Sequence, residues 1–223
     1  MMQAPSALLK LMYLVSPALP IGAYAYSQGQ EWAVDANWIQ SEDELCDWWQ
    51  GLMYNSLAVC DLPILMRLYD AWHQENYEQV RYWDQFLIAS RETSELLLED
   101  TQLGIALKRV LETHQFTRCE LVGERPSFVT LFALAGVEWQ IDKSELLQGW
   151  LWSWLENQVA AACKAVPLGQ TQAQRMLMRL IDDIPLVIQQ ASLCEDEDIG
   201  AGLPGLALAS CLHERQYSRL FRS

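Results

Sequence analysis

From Leu96 onward, leucines recur at 103, 107 and 111. That spacing lays one apolar stripe along SELLLEDTQLGIALKRVLETH and predicts a helix over it. Start signals precede other apolar runs. Ser41 followed by Glu44 is an S-x-x-E capping box ahead of LCDWWQGLMYNSLAV, and Asp61 with Pro63 in the first turn opens LPILMRLYDAWHQ. Asn76 with Gln79 opens YEQVRYWDQFLIAS. Asp142 with Glu145 caps a Trp-rich helix that stops before Pro167, and QTQAQRMLMRLIDD and IPLVIQQAS read as two helices hinged near Pro185.

Strand-like alternation with hairpin turns is missing almost everywhere. The pattern therefore predicts an all-α fold, a bundle of roughly eight to ten helices at usual helix lengths. No fixed-period repeat, low-complexity tract or clear linker divides the chain, so residues 1–223 are expected to form a single domain. The acidic stretch CEDEDIGAG at 194–202 is the best candidate for a flexible loop. It sets apart a terminal segment at about 204–223.

Composition narrows the classes. At 223 residues and 51% hydrophobic content the chain can bury a sizeable core. A formal net charge of −14 makes the average surface repel phosphate backbones and anionic headgroups, so no nucleic acid and no membrane is expected as a partner. The longest apolar stretch, at 146–166, carries Glu156, Asn157, Gln158 and Lys164 and reads as a bundle helix rather than a span. Six scattered cysteines without a C-x-x-C point to reduced thiols and a cytoplasmic protein. Residues 7–26 resemble an export leader through Ala23-Tyr24-Ala25, but Lys10, Pro17 and Pro20 interrupt it, so export is not expected.

Candidate chemistry is sparse. GAGLPG at 200–205 spells the dinucleotide fingerprint, yet Glu195, Asp196, Glu197 and Asp198 precede it and would repel a pyrophosphate; no P-loop occurs. Glu92, Glu95 and Glu99 share one helical face and could serve a hard cation or acid–base work. The commoner explanation of such a run is a solvated acidic face, partly matched by Arg91. Cys211 and His213 are weak candidates for a nickel or zinc pair, while His73 and His114 read as surface or capping histidines. No nucleophile elbow, H-E-x-x-H or Cys–base pair is present, so neither an enzyme nor a cofactor is expected.

On a helix, Arg215, Arg219 and Arg222 would fall on one side and Tyr217, Leu220 and Phe221 on another. Such a segment either binds a partner or folds back onto the chain's own carboxylates; composition leaves both open. Lys164, in the last turn before Pro167, is likewise a helix-end charge or a partner contact.

Five blocks in order, SPALPIGAYAYSQGQEWAV at 16–34, DLP at 61–63, RETSEL at 91–96, KAVPLGQ at 164–170 and HERQYSRLFRS at 213–223, resemble urease accessory proteins of the F type. Gln30 stands where that family commonly has Leu, and Arg215 where it has Thr. The resemblance implies a non-catalytic, all-helical cytoplasmic chaperone that forms a homodimer. It would bridge the D/H-type accessory protein and the G-type GTPase in GTP-dependent delivery of nickel to apo-urease. On this basis Tyr217, Arg219, Leu220, Phe221 and Arg222 would dock on the D/H-type partner. Glu31, Lys164, Tyr24, Tyr26 and Ser27 would lie on the GTPase-facing side. Two alternatives are a helical enzyme working through Glu92, Glu95 and Glu99, and a self-contained metal-binding protein using Cys211 and His213.

Overall fold

The computed structural model describes residues 6–166 and 168–223. Pro167 of the KAVPLGQ block lies outside them. The helices are α1 Ala7–Leu14, α2 Gln30–Asp35, α3 Glu42–Leu52, α4 Asp61–His73, α5 Tyr77–Ala89, α6 Ser94–Thr113, α7 Phe128–Glu138, α8 Lys143–Ala165, α9 Gln170–Ile181, α10 Ile184–Ser192 and α11 Pro204–His213. Ten of these have eight residues or more, and the described residues contain no strand, so the all-α expectation holds. No described helix is long and apolar enough to cross a membrane.

The start signals act as read, except that the Glu44 carboxylate accepts from the Gln40 N–H at 2.7 Å instead of closing a capping box on Ser41. Ser41 accepts from the Glu44 N–H at 3.2 Å, Asn76 from Gln79 at 3.2 Å, and Asp142 from Ser144 at 2.8 Å. Each satisfies a backbone donor that the first turn leaves without an intrahelical partner. Helix α3 runs on into a π-helical turn at Met53–Leu57, which ends the LCDWWQGLMYNSLAV segment before α4 begins.

At the centre, α7 packs against α4 and α6. Its sequence FVTLFALAGVE is apolar on every side, and eight of its eleven residues are buried. A helix buried all round shows no periodicity, which is why the pattern alone marks no element there. Its N-terminus points at two buried carboxylates. Asp84 accepts from the Ser127 N–H at 2.9 Å and the Thr130 hydroxyl at 2.6 Å, and Asp100 from the Phe128 N–H at 2.8 Å. These oxygens serve the free donors of the first turn and complement its positive dipole end.

Trp49 and Trp72 are fully buried, and each indole N–H has a partner: Gln30 Oε1 at 2.6 Å and the Thr130 carbonyl at 3.0 Å. Gln30 is thus a core residue, and its amide supplies the acceptor that a Leu there would deny to Trp49. Arg91 bridges Asp61 of α4, at 2.6 Å, and Asp100 of α6, at 3.0 Å. Burial works against its charge, but Asp100 and Asp61 outweigh it and hold the guanidinium above its ordinary range.

The acidic loop expected to be flexible is fastened at three points. Arg67 reaches Asp196 at 2.6 Å and the Cys194 carbonyl at 2.8 Å, and the Gly200 N–H donates to the Val59 carbonyl at 3.0 Å. A 3-10 turn at Asp196–Asp198, not a strand, leads into GAGLPG, so the fingerprint lacks its phosphate-binding context.

Candidate functional site: the seam between the N-terminal segment and the tail

The stretch SPALPIGAYAYSQGQE wraps across the bundle with a short 3-10 turn at Ala23–Ala25. Gln28 and Gly29 then take φ of 53° and 76°, and this pair of left-handed residues swings the chain into α2. Gly29 lies against α11: a Cβ there would sit 2.9 Å from the Ser210 nitrogen. Glu31, in the first turn of α2, is thereby aimed at the segment beyond α11.

That segment is not helical after His213, contrary to the helix supposed for Arg215, Arg219 and Arg222. Its backbone groups are bound elsewhere. Leu220 and Phe221 donate their N–H groups to Glu31 at 2.7 and 3.1 Å, and Arg222 donates to the Ala25 carbonyl at 2.8 Å. The Ser223 backbone oxygen accepts from the N–H groups of Ser27 and Gln28 at 2.5 and 3.2 Å, and from the Ser27 hydroxyl at 2.8 Å.

Side chains complete the seam. His213 is fully buried, with Nδ1 at 2.7 Å from Glu95 and Nε2 at 3.1 Å from Glu31, so that its ring spans the two carboxylates. Arg219 reaches the other oxygen of Glu95 at 2.5 Å. One turn along α6, Glu99 accepts from the Gln28 amide and the Ser223 hydroxyl, each at 2.9 Å. Burial pushes the Glu99 carboxyl up to about 7, against the Gln28 and Ser223 hydrogen bonds and the Arg91 field. Gln28 also accepts from the Trp154 indole at 2.9 Å, which ties the seam to α8.

Phe221 is buried while Tyr217 and Leu220 point outward. The Lys164 ammonium stands 5.5 Å from the Tyr24 ring and 5.6 Å from the Phe221 ring. This cation over two aromatic faces joins the tail to the N-terminal segment on the surface. Tyr26 is buried, and burial pushes its phenol up despite a hydrogen bond with Arg222. Beside the seam runs a cleft with a cavity of about 130 Å³, bounded by Leu19, Tyr26, Gln28, Glu99, Trp154 and Gly202.

Of the two fates left open for the tail, the structure shows the fold-back onto the chain's own carboxylates. The contacts above join nine of the ten proposed contact residues, from Tyr24 to Arg222, in one region, and the exposed Tyr217 adjoins them along the chain. Three expectations change. Glu92 precedes α6, whose N-cap is Thr93, so it shares no helical face with Glu95 and Glu99. Those two are buried rather than solvated because the tail covers them, and Arg91 is turned to Asp61 and Asp100 instead. Cys211 and His213 do not converge: two positions apart on α11 they point to opposite sides, Cys211 exposed and His213 buried. Among the described residues no group of three or more His, Cys, Asp or Glu is placed to hold a metal ion. His73 stacks on Tyr69, and His114 packs on Tyr13 and Trp139. As tail anchors, Gln28, Glu95, Glu99 and Ser223 were missed from sequence: Glu95 and Glu99 stood out only as an acidic pair, and Gln28 and Ser223 only by lying within the SPALP and HERQYSRLFRS blocks.

Fold and seam together define an all-helical protein whose buried polar residues fasten one end of the chain across the other. A family profile described as UreF matches residues 39–181. The chain is 54% identical over 217 residues to the urease accessory protein UreF of Teredinibacter turnerae, covering 97% of this chain and 98% of that one. It is 49% identical to the protein so named in Hahella chejuensis, over 98% and 99%, and 43% identical to that of Alcanivorax borkumensis, over 98% and 99%. The chain belongs to the UreF family of urease accessory proteins.

Proposed function

We propose that this chain is a non-catalytic scaffold of urease maturation, acting in the cytoplasm as a homodimer and as one folded domain. It bridges the D/H-type accessory protein and the G-type GTPase while nickel is inserted, with GTP hydrolysis, into apo-urease. The supporting observation is the tail itself. Its backbone is held by Glu31 and Ala25, yet the Tyr217 and Leu220 side chains remain outside. Fixed backbone with exposed aromatic and aliphatic side chains is suited to a binding hot spot. Lys164 lies between Tyr24 on the GTPase-facing side and Phe221 in the tail, so the two partner surfaces meet at one residue. The enzyme alternative gains no support from Glu95 and Glu99, whose oxygens are taken by Arg219, His213, Gln28 and Ser223.

The test is co-expression with the urease structural and accessory genes, comparing wild type, Tyr217→Ala with Leu220→Ala, and Lys164→Ala. Nickel content and urease activity should fall for both variants. Loss of co-purification with the D/H-type protein is expected for the tail variant, and altered GTPase turnover for Lys164→Ala. Full urease activation without this chain would overturn the reading.

A further inference from the structure

Three buried glutamates hold the segment 219–223, and they are not equivalent. Glu31 faces His213 and two backbone N–H groups; Glu95 faces His213 and Arg219. Glu99 faces only neutral donors, the Gln28 amide and the Ser223 hydroxyl. Among the described residues no cationic group pairs with it, because Arg91 is bound to Asp61 and Asp100 and Arg219 to Glu95.

Charges surround Glu99 from every side of the seam, and Glu92 and, from α8, Glu156 line the cleft beside it. Asp100 and Glu95 lie on its own helix, Asp61 on α4, Glu31 on α2 and His213 on α11. Arg91 precedes its helix, Tyr26 comes from the N-terminal segment, and Arg219 and Arg222 from the tail. A buried carboxylate without a cation, among other acids, is costly when ionised and is relieved either by taking a proton or by admitting water. Admitting water means lifting Ser223 and Gln28, the two groups that cover it. When protonated it can donate to the Ser223 hydroxyl and still accept from Gln28, so the seam closes without an unpaired charge at Glu99.

We propose that residues 219–223 form a proton-governed strap, seated on the Ser27–Gln28 turn when Glu99 is protonated and loosened when Glu99 ionises. The direction of the Glu99 shift, up to about 7 from an ordinary 4.5, gives the pH window. The seated form holds the proton more tightly than the open form, so seating is strongest in acid. It weakens as pH rises towards about 7 and changes no further above that. One proton limits the change to about tenfold per pH unit.

Hydrogen exchange on the full chain between pH 5 and 8.5, corrected for the intrinsic pH dependence, reads the strap through the Ser27, Gln28, Leu220, Phe221 and Arg222 amides. Their protection should fall with rising pH up to about 7, by at most about tenfold per unit, while amides in α7 keep theirs. Glu99→Gln, which mimics the protonated group, should keep acid-side protection throughout. A flat wild-type profile, or the same pH dependence in Glu99→Gln, would overturn the proposal; the second result would show that a group other than Glu99 governs the strap. Should Glu99→Gln fail to fold, carboxyl carbon NMR of the wild type decides. A Glu99 midpoint near 7 supports the strap, and one below 5 rules it out.

Discussion

The backbone oxygen of Ser223 accepts two hydrogen bonds from Ser27, one from the N–H at 2.5 Å and one from the hydroxyl at 2.8 Å, across 196 positions of chain. Closing so long a loop costs entropy that a single bond does not offset. The seam adds backbone donors on Glu31, an imidazole between two carboxylates, and a buried Phe221. The apolar, glycine-containing stretch at 16–31 is therefore the receiving surface for the far end of the same chain. Its left-handed pair Gln28 and Gly29 turns it towards that end.

Removing residues 215–223 should destabilise the free protein. Burial of Phe221 alone contributes about 1.5–3 kcal/mol, and Glu31, Glu95 and Glu99 each lose a partner from the tail. A truncated chain is expected to melt several degrees lower. Tyr217→Ala should stay within about 0.5 kcal/mol of wild type, since its side chain is fully exposed. Thermal melts and pull-down with the D/H-type protein on the same samples separate the two roles. A truncated chain with an unchanged melting temperature would refute the structural one.

His213→Ala should be among the most damaging single changes at the seam. The imidazole stands between Glu31 and Glu95, both buried, and deleting it leaves two carboxylates facing an empty volume. Breaking buried pairs of this kind costs about 3–5 kcal/mol. Urea unfolding of the variant should show a lower midpoint with an unchanged slope. A cost below about 1 kcal/mol, the level of an ordinary surface pair, would mean that the carboxylates reorganise freely.

Much of the fold was legible because its start signals are local. Ser41, Asn76 and Asp142 bond to backbone two or three positions ahead, and those bonds are written in short spacings. Helix α7 was not legible, because burial on every side erases periodicity. The seam was legible only as a resemblance. Most of its bonds join residues more than a hundred positions apart, and several use backbone atoms that any residue supplies. Glu95 and Glu99 looked like a solvated face because nothing in a helical pattern tells what will cover it.

Thiol reactivity should divide the cysteines sharply. Burial pushes the Cys60 thiol up to about 12 and Cys119 to about 11, and raises Cys46, whereas Cys211 is exposed on α11. The thiolate is the nucleophile, so at pH 8 the three buried thiols are almost wholly unreactive. Alkylation followed by peptide mass mapping should label Cys211 first and leave Cys46, Cys60 and Cys119 intact until the protein is unfolded. Rapid native labelling of Cys60 would contradict the packing of Arg91 and Asp61 around it.

Gly22 and Gly29 provide a controlled comparison of backbone strain with steric contact. Both are left-handed, at φ of 80° and 76°. A Cβ on Gly22 meets nothing within 4 Å, whereas one on Gly29 meets the Ser210 nitrogen at 2.9 Å and Ala209 at 3.1 Å. Gly22→Ala should therefore cost only the conformational term, about 1 kcal/mol. Gly29→Ala should add overpacking of about 1–3 kcal/mol, because α2 and α11 must part to admit the methyl group. Parting them moves Glu31 away from His213, so Gly29→Ala should also loosen residues 219–223. Trypsin then reports the difference: cleavage after Arg219 in folded protein should be faster in Gly29→Ala than in Gly22→Ala or wild type. Equal stability and equal cleavage in the two variants would show that the α2–α11 contact has slack to accept a side chain.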